Sequence, residues 1–258
     1  MNTWYNLYKE AFRNPFDIAT RDITKYLDEK VREGAKGQIW VPSDIITNFD
    51  EITGKSTLKR VGANIDRQAL KTDAAPPYIV MGSFLPDEGG AASVLWGGLT
   101  TIDIYINDAK FGPEYYNDFH VELASAVRHE LEHGADEYRR KKKGLPFRPS
   151  YSVEDLQRAN KEENVVNIAI IREKYVTDIL EREAFIRGAM TQAKKRKKPL
   201  VEFLQNFLLE ALVGKENVAF GQQVMARGGP AGQRLLDIIG RLSDRYISRV
   251  KEIYPHLK

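Results

Sequence analysis

The amino-acid sequence predicts an α+β fold, with a small mixed sheet in the N-terminal half and a largely helical C-terminal half. Between about residues 38 and 108, short β-branched and aromatic runs alternate with turn-forming residues, which is typical of short strands. From about residue 115 onward, apolar residues recur at helical spacing instead. Strands followed by a run of helices indicate a sheet packed against helices.

The first 34 residues are predicted to form two helices, within an N-terminal segment that extends over 1–36. Asn14-Pro15 favours a helix start, because a capping residue precedes proline at the first helical position. Phe16–Val31 then carries apolar residues every three or four positions, with charged residues between them. The glycine-bearing stretch 34–37 ends this helix.

Four short apolar runs are the predicted strands. They are Ile39–Val41, Tyr78–Met81, Val94–Trp96 and Thr101–Ile106. In the last run, isoleucines alternate with polar residues, so one face of the strand is predicted to be buried and the other exposed.

The C-terminal half is predicted to form a series of helices. One runs from near Asn117 to the basic cluster Arg139–Lys143, and another begins at Ser152. The segment 164–195 is helical but interrupted near Thr177-Asp178, because an aspartate followed three residues later by glutamate has the spacing of a capping box.

Composition limits the kinds of site that the chain can build. Its 258 residues, 42% of them hydrophobic, suffice for one large domain or two small ones. It contains no cysteine, which excludes disulfides and thiolate metal sites and leaves imidazole and carboxylate as zinc ligands.

The pattern HExxH occurs at His129-Glu130-Leu131-Glu132-His133, within a predicted helix. The two histidines are four residues apart, so their imidazoles share one helix face and can bind the same Zn²⁺ ion. Glu130 lies about 100° round the helix from His129, where it can act as general base on a zinc-activated water without ligating the metal. The alternative interpretation is a surface helix with two solvated histidines.

A catalytic zinc normally has a third protein ligand. His120 lies on the opposite side of the helix from His129, so we look to another helix. Glu181 and Glu183 are about 200° apart on that helix, and only one of them can face the metal. We favour Glu181, because it shares its side of the helix with small residues that allow close packing; Glu183 is the alternative.

HELEH followed by the downstream pair Glu181 and Ala184 resembles the gluzincin pattern, in which two histidines and a glutamate bind zinc. The stretch Tyr175–Phe185 is similar to the second motif of uncharacterised HExxH proteins encoded by bacteriophages and mobile elements. This resemblance covers about residues 100–190. It implies a zincin-like fold in which the strand before the motif helix, Thr101–Ile106, lines the cleft and pairs with an extended substrate.

The same resemblance implies a zinc metallopeptidase acting on a protein or peptide. Glu130 would take a proton from the water and deliver it to the leaving amine. The donor that stabilises the oxyanion is left open among Tyr138, Tyr151 and Tyr175.

The order of predicted elements along the chain suggests three parts: N-terminal helices over 1–36, a zincin-like core over 37–198 and a helical subdomain over 199–258. We expect the helical termini to be able to mediate homo- or hetero-oligomers. We see no apolar leader and no run long enough to span a bilayer, so we expect a cytoplasmic or virion-associated protein without membrane contact.

Two rival functions remain at this stage. One is a structural or interaction protein, such as a phage virion component, that keeps a zincin fold while catalysis is secondary or lost. The other is nucleic-acid binding through the basic runs 139–143 and 194–198. We do not favour it, because the net charge is only +3 and no aromatic residues interleave with these runs.

Overall fold

The computed structural model describes residues 15–45, 60–71, 75–85, 99–145, 152–214 and 217–253. It confirms the predicted α+β fold. The strands are β1 (Gly37–Trp40), β2 (Arg60–Asp66), β3 (Tyr78–Leu85) and β4 (Leu99–Ile106). The helices are α1 (Pro15–Arg32), α2 (Tyr116–Lys142), α3 (Val153–Lys161), α4 (Val165–Thr177), α5 (Ile179–Arg196), α6 (Leu200–Val213), α7 (Val218–Arg227) and α8 (Gly229–Ile253).

The predicted helices that fall on described residues are confirmed. The residues that predict where a helix begins or ends lie within or beside that helix. Ser152 caps α3, and its hydroxyl accepts a hydrogen bond from the Asp155 amide at 3.0 Å. Asp178 separates α4 from α5, and its carboxylate accepts a hydrogen bond from the Leu180 amide at 2.8 Å. The predicted strand Val94–Trp96 and the first 14 residues lie outside the described residues.

The sheet has the strand order β1-β2-β4-β3. β2 runs parallel to β4, whereas β1 pairs antiparallel with β2 and β3 pairs antiparallel with β4. This order corrects the expectation for Thr101–Ile106. That segment belongs to β4, whose two edges are paired with β2 and β3, so neither edge is open to a further strand. Among the strands that the structure describes, β1 and β3 lie at the two edges of the sheet, and β3 is the edge strand next to β4.

α1 and α2 pack against this sheet through rows of apolar residues spaced four apart. The rows are Ala19, Ile23, Leu27 and Val31 on α1, and Phe119, Leu123, Val127 and Leu131 on α2, and each is at most 1% exposed. Burying each of the larger side chains contributes about 1.5–3 kcal/mol. The rows therefore fix the rotation of α2 about its axis, and with it the direction of the motif side chains.

The chain divides into two compact units. The first comprises Met1–Phe147 with Lys194–Arg196, and the second comprises Arg148–Ala193 with Lys197–Lys258. The second unit has its own helical core, in which the buried Tyr246 hydroxyl donates a hydrogen bond to the Val176 carbonyl at 2.7 Å. The three-part division expected from the sequence stays a prediction. Across the described ranges, no helix is both long and apolar enough to cross a membrane.

Candidate metal centre

The two motif histidines lie side by side on α2. Their Nε2 atoms are 3.1 Å apart, and the residues are only 8% and 6% exposed. Two ligands at 2.0–2.1 Å from a tetrahedral zinc ion would be about 3.3–3.4 Å apart, so His129 and His133 have the spacing needed to chelate one ion. Their burial also shows that the alternative of two solvated histidines is wrong.

Glu130 completes a cluster of three potential metal-binding residues. Its Oε1 lies 3.9 Å from His129 Nε2, and one ligand atom from each of His129, Glu130 and His133 lies within 4.8 Å of the others. Within the described ranges, no other group of three or more histidine or acidic residues has this arrangement. The cluster could hold a metal ion, and Glu130, at 4% exposure, is close enough to accept a proton beside such an ion.

Edge strand β3 contributes to the cluster in a way that the sequence analysis missed. An added Cβ at Gly82 would lie 2.6 Å from Glu130 Cδ, so glycine leaves the room that this carboxylate occupies in the structure. Two residues along the strand, the Phe84 ring stacks on His133 with 6.2 Å between ring centroids and 27° between ring planes. A glycine inside a strand often marks the close approach of another group, and that signal was available in the sequence.

The second glutamate of the motif, which lies about 200° round α2 from Glu130, has a structural role. Glu132 is 2% exposed, and its two oxygens accept hydrogen bonds from Arg128 at 2.8 Å and Arg139 at 2.6 Å. Burial opposes the charge of Arg139, but the carboxylates of Glu132 and Asp136 outweigh it and raise the pKa of Arg139. The buried ion pairs explain why this charged position tolerates an interior location.

His120 lies outside the cluster, as the sequence analysis expected. Its Nδ1 is 3.2 Å from Asp28 on α1, and its Nε2 is 3.0 Å from Lys195 Nζ. Burial alone would raise the pKa of Asp28, but hydrogen bonds from His120 and Arg32 reverse this and lower it. His120 therefore helps to join α1 to α2 and is not a ligand of the cluster.

Glu181 and Glu183 both lie in α5, within the second unit. Glu181 is 5% exposed. Burial raises the pKa of the Tyr246 hydroxyl, and the negative charge of Glu181 raises it further. Glu183 forms an ion pair with Arg249. Glu181 is not a member of the three-residue cluster, and its assignment as third ligand stays a prediction.

Comparison of the chain with models of known protein families, with curated proteins and with solved structures found no match. The resemblance to gluzincins therefore depends on the motifs alone. What the structure supports is the geometry of a metal-binding cluster at His129, Glu130 and His133.

Proposed function

We propose that the protein is a zinc-dependent hydrolase of the metallopeptidase type, with Glu130 as its general base. The observation that carries the proposal is the pair of buried Nε2 atoms 3.1 Å apart, with the Glu130 carboxylate beside them. Two imidazoles and an adjacent carboxylate are the groups that HExxH enzymes place on one helix.

We propose zinc as the metal, because two histidines spaced as in HExxH are a usual pair of zinc ligands. Imidazole nitrogens suit zinc among the first-row metals, and a carboxylate beside two imidazoles on one helix favours hydrolysis. Zinc bound here would lower the pKa of a water molecule toward about 7 and polarise the carbonyl of the substrate.

Glu130 handles the protons of the reaction. Its carboxylate accepts one from the attacking water and donates it to the leaving nitrogen as the amide bond breaks. Gly82 leaves the space in which this carboxylate lies. Burial of Glu130 limits its contact with bulk water, which strengthens its electrostatic interactions within the site.

The edge strand supports a protein or peptide as substrate. Among the strands that the structure describes, β3 pairs with β4 alone, so its other edge presents backbone groups on which an extended peptide can form hydrogen bonds. Gly82 on this strand lies against Glu130, and Gly82 itself is exposed to solvent. A peptide lying along β3 would therefore pass the general base.

We retain Glu181 as the proposed third ligand, with Glu183 as the alternative. An ion pair counts against Glu183. The carboxylate of Glu183 is engaged by Arg249, and a guanidinium–carboxylate pair would have to be broken before Glu183 could bind a metal.

The substitution Glu130→Gln tests the proposal. Zinc content is measured on purified protein, and hydrolysis is followed with a fluorescently labelled unfolded protein. We expect wild type to bind about one zinc per chain and to cleave the substrate, and the variant to keep the metal and lose cleavage, since the amide cannot take the proton. Glu114→Gln, at an exposed position outside the cluster, is the matched control.

Three outcomes would contradict parts of this proposal. Wild-type protein that takes up no zinc would exclude the metal site. Zinc binding without any hydrolysis would favour the structural or interaction protein. Equal cleavage by wild type and Glu130→Gln would show that Glu130 is not the base.

A further inference from the structure

The second unit contains an open pocket of about 320 Å³ between α5 and α8. It is lined by Arg182 from α5 and by Asp244, Arg245, Ser248, Arg249 and Glu252 from α8. Positions 248, 249 and 252 follow position 245 by three, four and seven residues, so all four share one face of α8. Three arginines from two helices therefore surround a single space.

The three arginines differ in how their charges are compensated. Arg249 forms ion pairs with Glu183 and Glu252. The side chains of Arg182 and Arg245 form no hydrogen bond or ion pair with any residue that the structure describes. Among the residues that the structure describes, none supplies an acceptor to the buried Nε of Arg182, and a bound group or a water molecule would relieve this unfavourable state.

We propose that this pocket binds a phosphate group, held by Arg182, Arg245 and Ser248. The planar guanidinium fork matches the oxygens of phosphate in a bidentate arrangement, and a hydroxyl can donate a further hydrogen bond. Three arginines against Asp244 and Glu252 leave the lining of the pocket with one positive charge in excess, which favours an anion.

Asp244 and the volume of the pocket affect the expected affinity and size of the ligand. Asp244 lines the same space and repels an anion, so it keeps the affinity moderate. The pocket is also larger than a phosphate ion alone requires. A phosphomonoester with a small organic group therefore fits as well as free phosphate.

Calorimetric titration of the full chain at fixed ionic strength tests the proposal, with inorganic phosphate and glycerol 3-phosphate as separate probes. We expect saturable binding of at least one probe, about tenfold or more weaker in Arg182→Gln and in Arg245→Gln, because each loses a charge-assisted hydrogen bond. Asp244→Asn should bind more tightly. Tighter binding of glycerol 3-phosphate would identify a monoester as the ligand, and equal or tighter binding of inorganic phosphate would identify the free ion.

Arg241→Gln is the matched control, because Arg241 also lies on α8 but pairs with Glu173 outside the pocket. Its phosphate affinity should equal that of wild type. Arg245 is exposed, so its variant should keep the wild-type circular dichroism spectrum even if the Arg182 variant unfolds. Absence of saturable binding to wild type, or an equal loss in Arg241→Gln and Arg245→Gln, would overturn the proposal.

Discussion

The carboxylate of Glu130 occupies the space that a side chain at position 82 would need. An added Cβ on Gly82 would lie 2.6 Å from Glu130 Cδ, which is too close for two non-bonded carbon atoms, so one of them would have to shift. The contact joins the edge strand of the sheet to the centre of the HExxH motif. The proposed base therefore keeps its position because residue 82 of β3 is glycine.

Gly82→Ala should therefore displace Glu130 and reduce hydrolysis on the order of a hundredfold, because a shift of about 1 Å in a catalytic group has an effect of this size. Zinc content should not change, since the three atoms nearest an added Cβ all belong to Glu130 and not to a histidine. The measurements are the rate of cleavage of the labelled unfolded protein and the metal content.

Ser83→Ala is the control for this substitution, since the neighbouring residue projects from the other face of the strand and is exposed. A Gly82→Ala variant with wild-type activity would show that Glu130 moves aside without consequence. That result would argue against Glu130 as a precisely positioned base.

The elements that could be predicted from the sequence are those whose signals lie within one segment. The register of His129 and His133 follows from their spacing on a helix, and the caps at Ser152 and Asp178 follow from the residues beside them. β2 was not predicted, because its glycine and polar residues are weak strand formers. It becomes a strand by pairing with β1 and β4 on either side.

The candidate site was only partly predictable for the same reason. His129, Glu130 and His133 lie within one turn of helix, so local geometry brings them together. The contacts of Gly82 with Glu130 and of Phe84 with His133 join residues more than 40 positions apart, and they depend on strand order. The prediction that Thr101–Ile106 pairs with a substrate was wrong, because the sequence does not reveal which strands lie at the edges of the sheet.

A second prediction concerns the buried charge of Glu132. Glu132→Gln should lower the free energy of unfolding by about 3 kcal/mol, because it leaves Arg128 and Arg139 without their shared carboxylate on a side of α2 where Arg128 is almost fully buried. Urea denaturation of wild type and variant measures the difference.

Asp22→Asn provides the comparison for Glu132→Gln in the same unit. It breaks an ion pair with Arg21 that is exposed on α1, and such pairs contribute about 1 kcal/mol or less. Similar losses in the two variants would show that the network around Glu132 contributes no more than a surface pair.

A third prediction uses the lowered pKa of Asp28. Ionised Asp28 is stabilised in the folded state by His120 and Arg32, so its contribution to stability is complete above the ordinary pKa of 3.8 and is lost as pH falls through the lowered value. Asp28→Asn should remove this contribution and flatten the dependence of unfolding free energy on pH below about 4. Urea denaturation between about pH 5 and pH 2.5 measures both curves, and parallel curves would contradict the prediction.

The last prediction separates the two glutamates of α5 as metal ligands. Zinc content is measured after gel filtration in wild type, His133→Ala, Glu181→Ala and Glu183→Ala. We expect His133→Ala and Glu181→Ala to lose the metal, because each removes one of three proposed ligands, and Glu183→Ala to keep it. The last variant breaks the ion pair with Arg249 and so also controls for a general disturbance of α5. If Glu183→Ala loses zinc and Glu181→Ala keeps it, the assignment is reversed. If both glutamate variants keep zinc, the third ligand lies elsewhere, and His129, Glu130 and His133 remain the centre of the site.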